Sequence, residues 1–583
     1  MENNNKEEQK EDPATPTSLS DQIATAALSA FASLPKTGKP QSHEHTAFAA
    51  IAITFPPHAH AATCLGIPNT DNTSCTAPLI ITMATGTKCL PGSKRAADGS
   101  ALNDCHAEVL ARRAFLRWIY DEIQYAAPRT KAGVSEGSSP PSMVFSIKKE
   151  ENDDTSGTRW GVQLLEGVQI HMFTSHPPCG DAAIGFAAEG GDSGLMGEAA
   201  AAGLVGHPQL ASCACEGNNG GVGRTGAKPV IKRQKVDNCR DDNKNAIEQT
   251  NPTAPTDADV DADADATKIL ITTNNNDYIL PQAHDVESYA VVQATGIVRR
   301  KPGRGEPTLS VSCSDKIAKW SLVGTQGALL SSIIATPLFF SSLVVGAPDV
   351  SSLDTSQTDG KIEENVVHSK RTRVVEMTEN ALKRAFQDRL QSLLSPPAPM
   401  LETHAVALDA FEVDKVGLLA GEVRRVPCGA SITWRAAPSA QWRLKPAKQH
   451  WSGGGSDSSK TSIMPVMLIT EGYSEAITGL FGCKAGAARR GADPVPPAQQ
   501  SALCRAALFK RFIEISTALN RTTLGDTLTT KHSIIYAEAK NEAGTASGYK
   551  ARWNEITAPA PSSSHSPFEG WIQKPSLGTD FTL

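Results

Sequence analysis

Three residues of types that bind metals each stand where an extended run gives way to a helical pattern. His106 precedes a helical pattern, Cys179 follows the strand-like run "VQIHMFTS", and Cys313 begins the helical run "CSDKIAKW". Apolar residues that alternate predict a strand, whereas recurrence at i, i+3, i+4 and i+7 predicts an amphipathic helix. A chain in which strands repeatedly lead into helices is predicted to adopt a mixed α/β fold.

Composition divides the chain into one domain and several low-complexity segments. Residues 187–290 are rich in Gly and Ala, then polar, and contain the repeat "DADVDADADA", which is typical of a solvated insertion. Residues 1–25 are predicted to be a disordered leader, and loops are predicted at about 345–375 and 452–462. The remainder of 26–583 is predicted to be a single catalytic domain, interrupted by these segments.

Local patterns locate several elements within that domain. The run "APLIITMATGTKCL" begins with a β-rich segment that ends at Gly86. Asn103 or Asp104 is of a type that caps a helix, so the helix carrying His106 is predicted to begin there. Residues 312–333 predict two short helices separated near Gly324, and residues 378–394 predict an amphipathic helix.

Charge and targeting signals constrain the compartment and the partners. The net charge of −6 is concentrated in residues 237–265, which contain nine acidic and two basic residues, so the rest of the chain is near neutral. A near-neutral core is compatible with RNA binding without demanding it. No apolar run is long enough for a membrane helix, and the polar N-terminus lacks a signal peptide, so an intracellular protein is expected, in the nucleus or the cytoplasm. "KRQKV" at residues 232–236 fits a nuclear signal, but such clusters are common by chance.

The twelve cysteines are not expected to form disulfides in a reducing compartment, and most are predicted to be small core residues. A hydrolytic zinc site needs about three protein ligands and a separate acid–base group. His106 and Glu108 offer a ligand and a base, and a thiolate at Cys179 would be favoured by a following helix N-terminus. His-x-Glu followed by Pro-Cys-x-x-Cys resembles the signature of zinc nucleobase deaminases. Position 182 is alanine, so another ligand must come from elsewhere, and Cys313 is a candidate.

Other residues compete for these roles. His176 is three residues before Cys179, although a role in the turn or at the surface is favoured. Cys428 lies in a second "PCG" that leads into a strand pattern, so it is predicted to be core. Cys213 and Cys215 form a Cys-x-Cys pair in a low-complexity stretch. Cys105 is predicted to point away from His106 into the core.

Three motifs together resemble a known family. "NDCHAEV", "PCGDA" and "SCSDKIAKW" are similar to the motifs of the RNA adenosine deaminases, and the resemblance extends with gaps from about residue 27 to the C-terminus. It implies a cytidine-deaminase-like core sheet flanked by helices. It also implies one zinc ion held by His106, Cys179 and Cys313, with Glu108 as proton shuttle. The implied reaction is hydrolytic deamination of adenosine to inosine, with attack at C6.

The resemblance favours the branch that acts on tRNA. "LPKTGKP" and "KPGRGEPTLSVSCSDK" resemble that branch, Ala183 stands where the double-stranded-RNA enzymes have Arg, and about 26 residues before the catalytic resemblance are too few for a double-stranded-RNA-binding domain. The implied substrate is alanine tRNA at position 37, 3′ of the anticodon, and a monomer is expected. Thr87 and Lys88 resemble substrate contacts, although a turn built on Gly86 explains them equally well. An editor of structured RNA and a non-catalytic zinc protein remain alternatives, but the second has no use for Glu108.

The resemblance also implies a second cofactor. RNA adenosine deaminases bury an inositol hexakisphosphate near the zinc, and burying the matching cations without an anion would be costly. Ala328 replaces a serine of the family, and Lys550 depends on a gapped alignment. The implied ligands are Arg112, Arg113, Lys316, Lys319, Arg505, Tyr536, Lys540, Lys550, Trp571 and Lys574.

Overall fold

The computed structural model describes the chain in sixteen stretches. The low-complexity insertion predicted at 187–290 lies outside them except for 228–229, and the loop predicted at 452–462 lies outside them entirely. Within the described part of the chain, no helix is long and apolar enough to cross a bilayer. The stretches are 18–41, 43–69, 75–127, 141–150, 159–184, 228–229, 295–301, 308–347, 364–394, 398–408, 426–447, 466–487, 493–520, 534–558, 566–572 and 580–582.

An eight-stranded mixed sheet forms the centre of the fold. Its spatial order is β5-β4-β3-β1-β2-β6-β7-β8, numbering the strands along the chain. The strands are β1 (Phe48–Thr54), β2 (Leu79–Thr85), β3 (Gln169–Thr174), β4 (Ser342–Ala347), β5 (Glu402–Ala407), β6 (Ala430–Ala436), β7 (Gly472–Thr478) and β8 (Cys483–Lys484).

Three strands of the sheet form a parallel part, and the other neighbouring strands pair antiparallel. β3, β4 and β5 are parallel, with Leu343 opposite both Met172 and Thr403. The remaining neighbours, from β3 and β1 through to β7 and β8, pair antiparallel. Parallel neighbours require crossover connections, and in this chain those connections contain helices that carry part of the candidate site.

Helices cover both faces of the sheet. They are α1 (Leu19–Ser33), α2 (His60–Leu65), α3 (Ala107–Ala126), α4 (Cys313–Val323), α5 (Gly327–Ser331), α6 (Glu364–Lys383), α7 (Arg505–Ala518), α8 (Tyr536–Ala546) and α9 (Tyr549–Thr557). A π-helical turn (Arg384–Asp388) continues α6, and short 3₁₀ turns occupy Gly92–Lys94, Asp181–Ala183, Gln391–Leu393, Ser439–Gln441 and Pro497–Gln499.

Small ribbons complete the described structure. Antiparallel pairs join Thr87–Cys89 with Asp104–His106, Phe145–Glu150 with Arg159–Leu164, Leu444–Pro446 with Met467–Ile469, and Lys228–Pro229 with Arg299–Arg300. Glu44–His45 pairs in parallel with Val426–Pro427. The first of these ribbons is the one that carries His106.

The two sheet faces belong to two hydrophobic clusters. Alternate residues of β1 point to opposite sides, so Ile51 packs with α3 while Phe48 packs under α1. All residues of β1 and β2 are buried, because both faces are covered. This explains why these two strands are apolar almost throughout rather than alternating with polar residues. Trp118 of α3 is fully buried and donates its indole N–H to the carbonyl of Ala437, at 3.3 Å.

The mixed α/β prediction is confirmed, as is the pair of short helices separated at Gly324, where φ is +85°. Three boundaries were wrong. Helix α1 already begins within the predicted leader, because Ser18 caps it by accepting the Asp21 N–H. Helix α3 begins at Ala107, because residues 104–106 pair as a strand instead of forming a cap. The loop predicted at 345–375 is shorter, since α6 begins at Glu364.

Candidate active site

A ribbon and a helix together position His106. Residues 104–106 pair with 87–89, with His106 opposite Thr87, and α3 starts at the next residue. Gly86 has φ of +145°, and a Cβ there would collide with the Cys105 carbonyl and the Ser431 hydroxyl. Position 86 therefore requires glycine, because no side chain fits this backbone conformation and this space. The turn lets the Ala107 N–H donate to the Gly86 carbonyl at 3.0 Å, which fixes the junction that carries His106.

The two cysteines meet at the start of α4. Ser312 caps this helix by accepting the Asp315 N–H at 3.1 Å, and Cys313 is the first helical residue. The Cys313 N–H donates to the Cys179 Sγ at 3.1 Å. The helix N-terminus that favours a thiolate at Cys179 is thus that of α4. The helix predicted directly after Cys179 is, in the described residues, only the 3₁₀ turn Asp181–Ala183.

His106, Cys179 and Cys313 converge to form a compact donor set. One ligand atom from each lies within 4.8 Å of the others, and His106 Nδ1 is 3.8 Å from Cys179 Sγ. No second group of three potential metal ligands occurs in the described stretches. One imidazole and two thiols on three different elements fit a catalytic zinc site, which uses three protein ligands and leaves a position for water.

Glu108 lies beside this donor set. It is two residues beyond His106 in the first turn of α3, and its side chain is 5% exposed. Its Oε2 atom has no hydrogen-bond partner among the described residues. A buried carboxylate oxygen without a partner is energetically unfavourable unless a ligand or substrate supplies one. Glu108 therefore has the position and the free oxygen that a proton shuttle needs.

The thiol pair is electrostatically asymmetric. Burial alone would raise the pKa of Cys179, but a hydrogen bond with Cys313 and the charge of Lys301 lower that pKa well below its usual range. The pKa of Cys313 is raised, first by burial and then by its hydrogen bond with Cys179 and the negative charge there. The same hydrogen bond thus lowers the pKa of Cys179 and raises that of Cys313, so the two thiols titrate as a linked pair.

Lys301 is a site residue that sequence reasoning missed. It is fully buried, and its Nζ donates to Cys313 Sγ at 3.0 Å and to Asp104 Oδ1 at 3.1 Å. Burial would lower the Lys301 pKa, but Asp104 and the cysteines raise it well above its usual range. Asp104 also pairs with Lys316. A continuous series of polar contacts therefore joins Cys313 to Lys301, Lys301 to Asp104, and Asp104 to Lys316. Nothing in "RRKPGRG" distinguished Lys301 from the basic residues around it.

Arg389, just beyond the π-helical turn, links the two segments that carry the cysteines, namely the turn after Cys179 and the first turn of α4. Its guanidinium donates to Asp315 Oδ1 at 2.9 Å and lies 3.8 Å from Asp181 Oδ2, with all three side chains nearly or fully buried. These aspartates lie two residues after Cys313 and two residues after Cys179. The same guanidinium donates to the Pro567 carbonyl at 2.7 Å. The Arg389 guanidinium therefore bridges the segment of Cys179, the first turn of α4 and the C-terminal part of the chain.

A cavity of about 260 Å³, hereafter the cation cavity, adjoins the site. Its lining contains seven basic side chains and one acidic side chain, Asp104. Lys550 does not line it, since this exposed side chain donates to Asn541 Oδ1 at 2.6 Å, and Lys574 lies outside the described residues. Ala328 is part of the wall. The other eight residues predicted for the polyphosphate all line it: Arg112, Arg113, Lys316, Lys319, Arg505, Tyr536, Lys540 and Trp571.

The positive charges in the cation cavity destabilise one another. Burial, followed by the charges of Lys540 and Arg112, lowers the pKa of Lys319 to about 7. Burial also lowers the pKa of Arg112 to about 10. Aromatic rings offset part of this cost, because Lys319 lies 3.5 Å from the centroid of Trp553. The cavity fits an anion with several charges, which would raise these lowered pKa values.

The remaining candidates do not join the metal ligands. Cys105 is fully buried in the core, as predicted, and Cys428 is buried with its Sγ 3.2 Å from Glu44 Oε2. His176 Nδ1 is 2.7 Å from Ser175 Oγ. Cys213, Cys215 and the basic cluster at 232–236 lie outside the described residues. Thr87 and Lys88 follow the Gly86 turn, and the buried Thr87 hydroxyl has no hydrogen-bond partner within the described stretches.

Comparison with known proteins agrees with this geometry. The adenosine-deaminase (editase) domain family matches residues 82–575, so the chain belongs to that family and is a deaminase. The mouse protein named tRNA-specific adenosine deaminase 1 is 24% identical over 93% of this chain and 95% of its own length. The Drosophila melanogaster protein of the same name is 30% identical over 55% of this chain and 54% of its length. The double-stranded RNA-specific editase Adar of the same fly is 28% identical over 48% of this chain and 29% of its length.

Proposed function

We propose that this protein is a zinc-dependent enzyme that converts adenosine to inosine in tRNA, at position 37 of alanine tRNA. The observation that carries the proposal is the convergence of His106, Cys179 and Cys313 beside Glu108, whose buried Oε2 has no hydrogen-bond partner in the described part of the chain. The assignment to tRNA is supported by relatives named tRNA-specific adenosine deaminase 1, one of which is matched over 95% of its length. The match to the double-stranded-RNA editase is confined to about half of this chain.

His106, Cys179 and Cys313 would hold the zinc ion, which when bound supplies a water molecule activated for attack at neutral pH. Hydrolytic deamination adds water at C6 of adenine and releases ammonia, so protons must move from the water to the substrate. Glu108 accepts one proton of the water on its carboxylate and delivers it to the purine ring; it then takes the remaining proton of the hydroxyl at C6 and passes it to the amino group, which departs as ammonia. Burial of Glu108 keeps this carboxylate out of contact with bulk solvent, and its unpartnered oxygen is available for the transfer.

The substrate base must leave its stack to reach such a buried site, and a loop nucleotide pays less for this than a paired one. A nucleotide next to an anticodon meets that requirement. Thr87 is opposite His106 across the ribbon, and Lys88 follows it, so both are proposed to contact the substrate. The buried Thr87 hydroxyl without a partner supports this role.

The cation cavity is proposed to hold inositol hexakisphosphate as a structural cofactor. Its support is the excess of seven basic over one acidic side chain in the lining. Phosphate oxygens accept several charge-assisted hydrogen bonds from Arg and Lys, which stabilises buried cations. The residues proposed to bind it are Arg112, Arg113, Lys316, Lys319, Arg505, Tyr536, Lys540 and Trp571.

The decisive experiment compares substrates for the purified protein. Inosine formation should be measured by sequencing after incubation with alanine tRNA, with the same tRNA carrying guanosine at position 37, and with a long RNA duplex. The proposal expects inosine at position 37 of the first substrate alone. Conversion of the duplex in preference to tRNA would instead assign the chain to RNA editing, and conversion of neither would point to a non-catalytic role.

A further inference from the structure

We propose that Arg95, together with Arg113 and Arg505, forms an anion subsite that binds one phosphate group of the ligand in the cation cavity. The proposal rests on the proposed polyphosphate cofactor and extends its binding site to a residue that no motif marked. Arg95 lines the cavity beside Arg113 and Arg505. The three arginines come from separate parts of the chain, namely the turn after Gly92–Lys94, helix α3 and the first residue of α7.

Arg95 is buried, and the described stretches of the chain supply no partner for its charge. The residue is 2% exposed, yet neither terminal guanidinium nitrogen makes a hydrogen bond to any residue that the structure describes. The nearest acidic residue in sequence, Asp98, instead accepts hydrogen bonds from the backbone and hydroxyl of Ser100. A buried guanidinium with no counter-charge costs several kcal/mol, so a ligand that supplies acceptors would be strongly favoured here.

The neighbouring groups give this place an anion-binding character. Burial and then the charge of Arg505 lower the pKa of Arg95, and the same two causes lower the pKa of Arg113. Arg113 is held in place because its Nε donates to the Leu503 carbonyl at 2.6 Å. Arg505 opens α7, a helix of 14 residues whose N-terminus adds partial positive charge. Three cations at one helix N-terminus fit a phosphate rather than a neutral group.

The chemical class of the ligand group follows from the donor geometry. A guanidinium presents two parallel N–H donors that match two oxygens of one phosphate, whereas an ammonium presents a point charge. Arg95 has both terminal nitrogens available for such a paired contact. The subsite therefore favours a phosphomonoester of a compact polyphosphate, and lysine should replace Arg95 only in part.

Native mass spectrometry and ligand titration test the inference on the full chain. Arg95→Met should retain inositol hexakisphosphate about 10- to 100-fold more weakly than the wild type, the range expected for losing a hydrogen-bonded charge contact. Lys94→Met is the matched control, because it removes an adjacent but exposed cation. Arg95→Lys, which keeps the charge if the methionine variant does not fold, should give an intermediate affinity.

Two failures are distinguishable. If the wild-type protein carries no polyphosphate and does not bind added inositol hexakisphosphate, the proposed cofactor itself is wrong and the subsite falls with it. If the wild type binds it and the Arg95 variants bind as tightly as Lys94→Met, the cofactor stands and the role of Arg95 is overturned. Affinity is measured independently of deaminase activity, so a loss of catalysis alone cannot imitate the expected result.

Discussion

At the scale of single residues, Glu108 is the most sharply testable group. Its carboxylate is buried with one oxygen unpartnered, which suits proton transfer and contributes no hydrogen bond through that oxygen to the fold. Glu108→Gln preserves shape and removes the base. We expect zinc content and folding to be retained while inosine formation falls by about 10²- to 10⁴-fold. Turnover near the wild-type rate, measured by sequencing the tRNA product, would rule out the shuttle.

A second residue-scale prediction separates the ligand cysteine from its competitor. Cys313 and Cys428 are both buried, but only Cys313 belongs to the donor set with His106 and Cys179. Cys313→Ala should lose the metal in elemental analysis, whereas Cys428→Ala, matched in chemistry and burial, should keep one zinc per chain. The opposite pattern would contradict the ligand assignment.

At the scale of elements, sequence reasoning succeeded where a local signal sufficed. The α4–α5 break is encoded by Gly324. The amphipathic helix predicted at 378–394 was only partly correct, because α6 ends at Lys383 and a π-helical turn and a 3₁₀ turn follow it. Sequence reasoning failed at α1, whose buried face is made largely of alanines with little hydrophobic contrast. It failed at Lys301 because the contacts that define this residue are with Asp104 and Cys313, which pairing and packing bring together.

Arg389 connects the two segments that carry Cys179 and Cys313. Its guanidinium compensates the charges of the buried Asp315 and Asp181, and so it keeps the segments of Cys313 and Cys179 next to each other. Arg389→Met should destabilise the protein by about 3–5 kcal/mol, the usual result of leaving a buried charge unpaired. Thermal unfolding and zinc retention against a chelator measure the effect. Adding Asp315→Asn should recover part of the loss, and strictly additive effects in this double-mutant cycle would contradict the proposed link.

The central sheet contains a buried histidine whose ionisation opposes folding. His171 of β3 lies 2.9 Å from Ser342 Oγ and 3.1 Å from Thr54 Oγ1, on the two neighbouring strands. Burial, and then the charge of His404, lower its pKa from 6.5 to about 4. The unfolded chain therefore binds the proton first, so the stability provided by neutral His171 is complete above pH 6.5 and is lost as the pH falls towards about 4.

The full shift corresponds to about 3 kcal/mol of unfolding free energy. Chemical denaturation of the wild type should show this loss between neutral pH and pH 4. His171→Gln cannot ionise, so its stability should depend less on pH over the same interval, even if it is lower at pH 7. Equal pH dependence in the two proteins would show that His171 is not the group responsible.

At the scale of the whole molecule, the cation cavity connects elements that are far apart in the chain. Its wall combines residues of α3, α4, α5, α7, α8 and α9. Because most of the charges in this wall share one sign, closing it without an anion brings cations together at an electrostatic cost. An anion bound only by the folded state would add to stability by mass action. Helices α7 to α9 would then depend on that anion for their docking against α3 and α4.

The last prediction follows from this dependence. Protein unfolded in denaturant and freed of small molecules should refold poorly in buffer and efficiently when inositol hexakisphosphate is added, with a thermal midpoint that rises with ligand concentration. At about 100 times the Kd, the expected stabilisation is about 2.7 kcal/mol. Sulfate at matched ionic strength is the control, because it screens charge without bridging several cations at once. Equal recovery in sulfate would show that refolding needs only screening of the positive charges, not a specific polyphosphate. Full recovery in buffer alone would show that the fold closes without an anion.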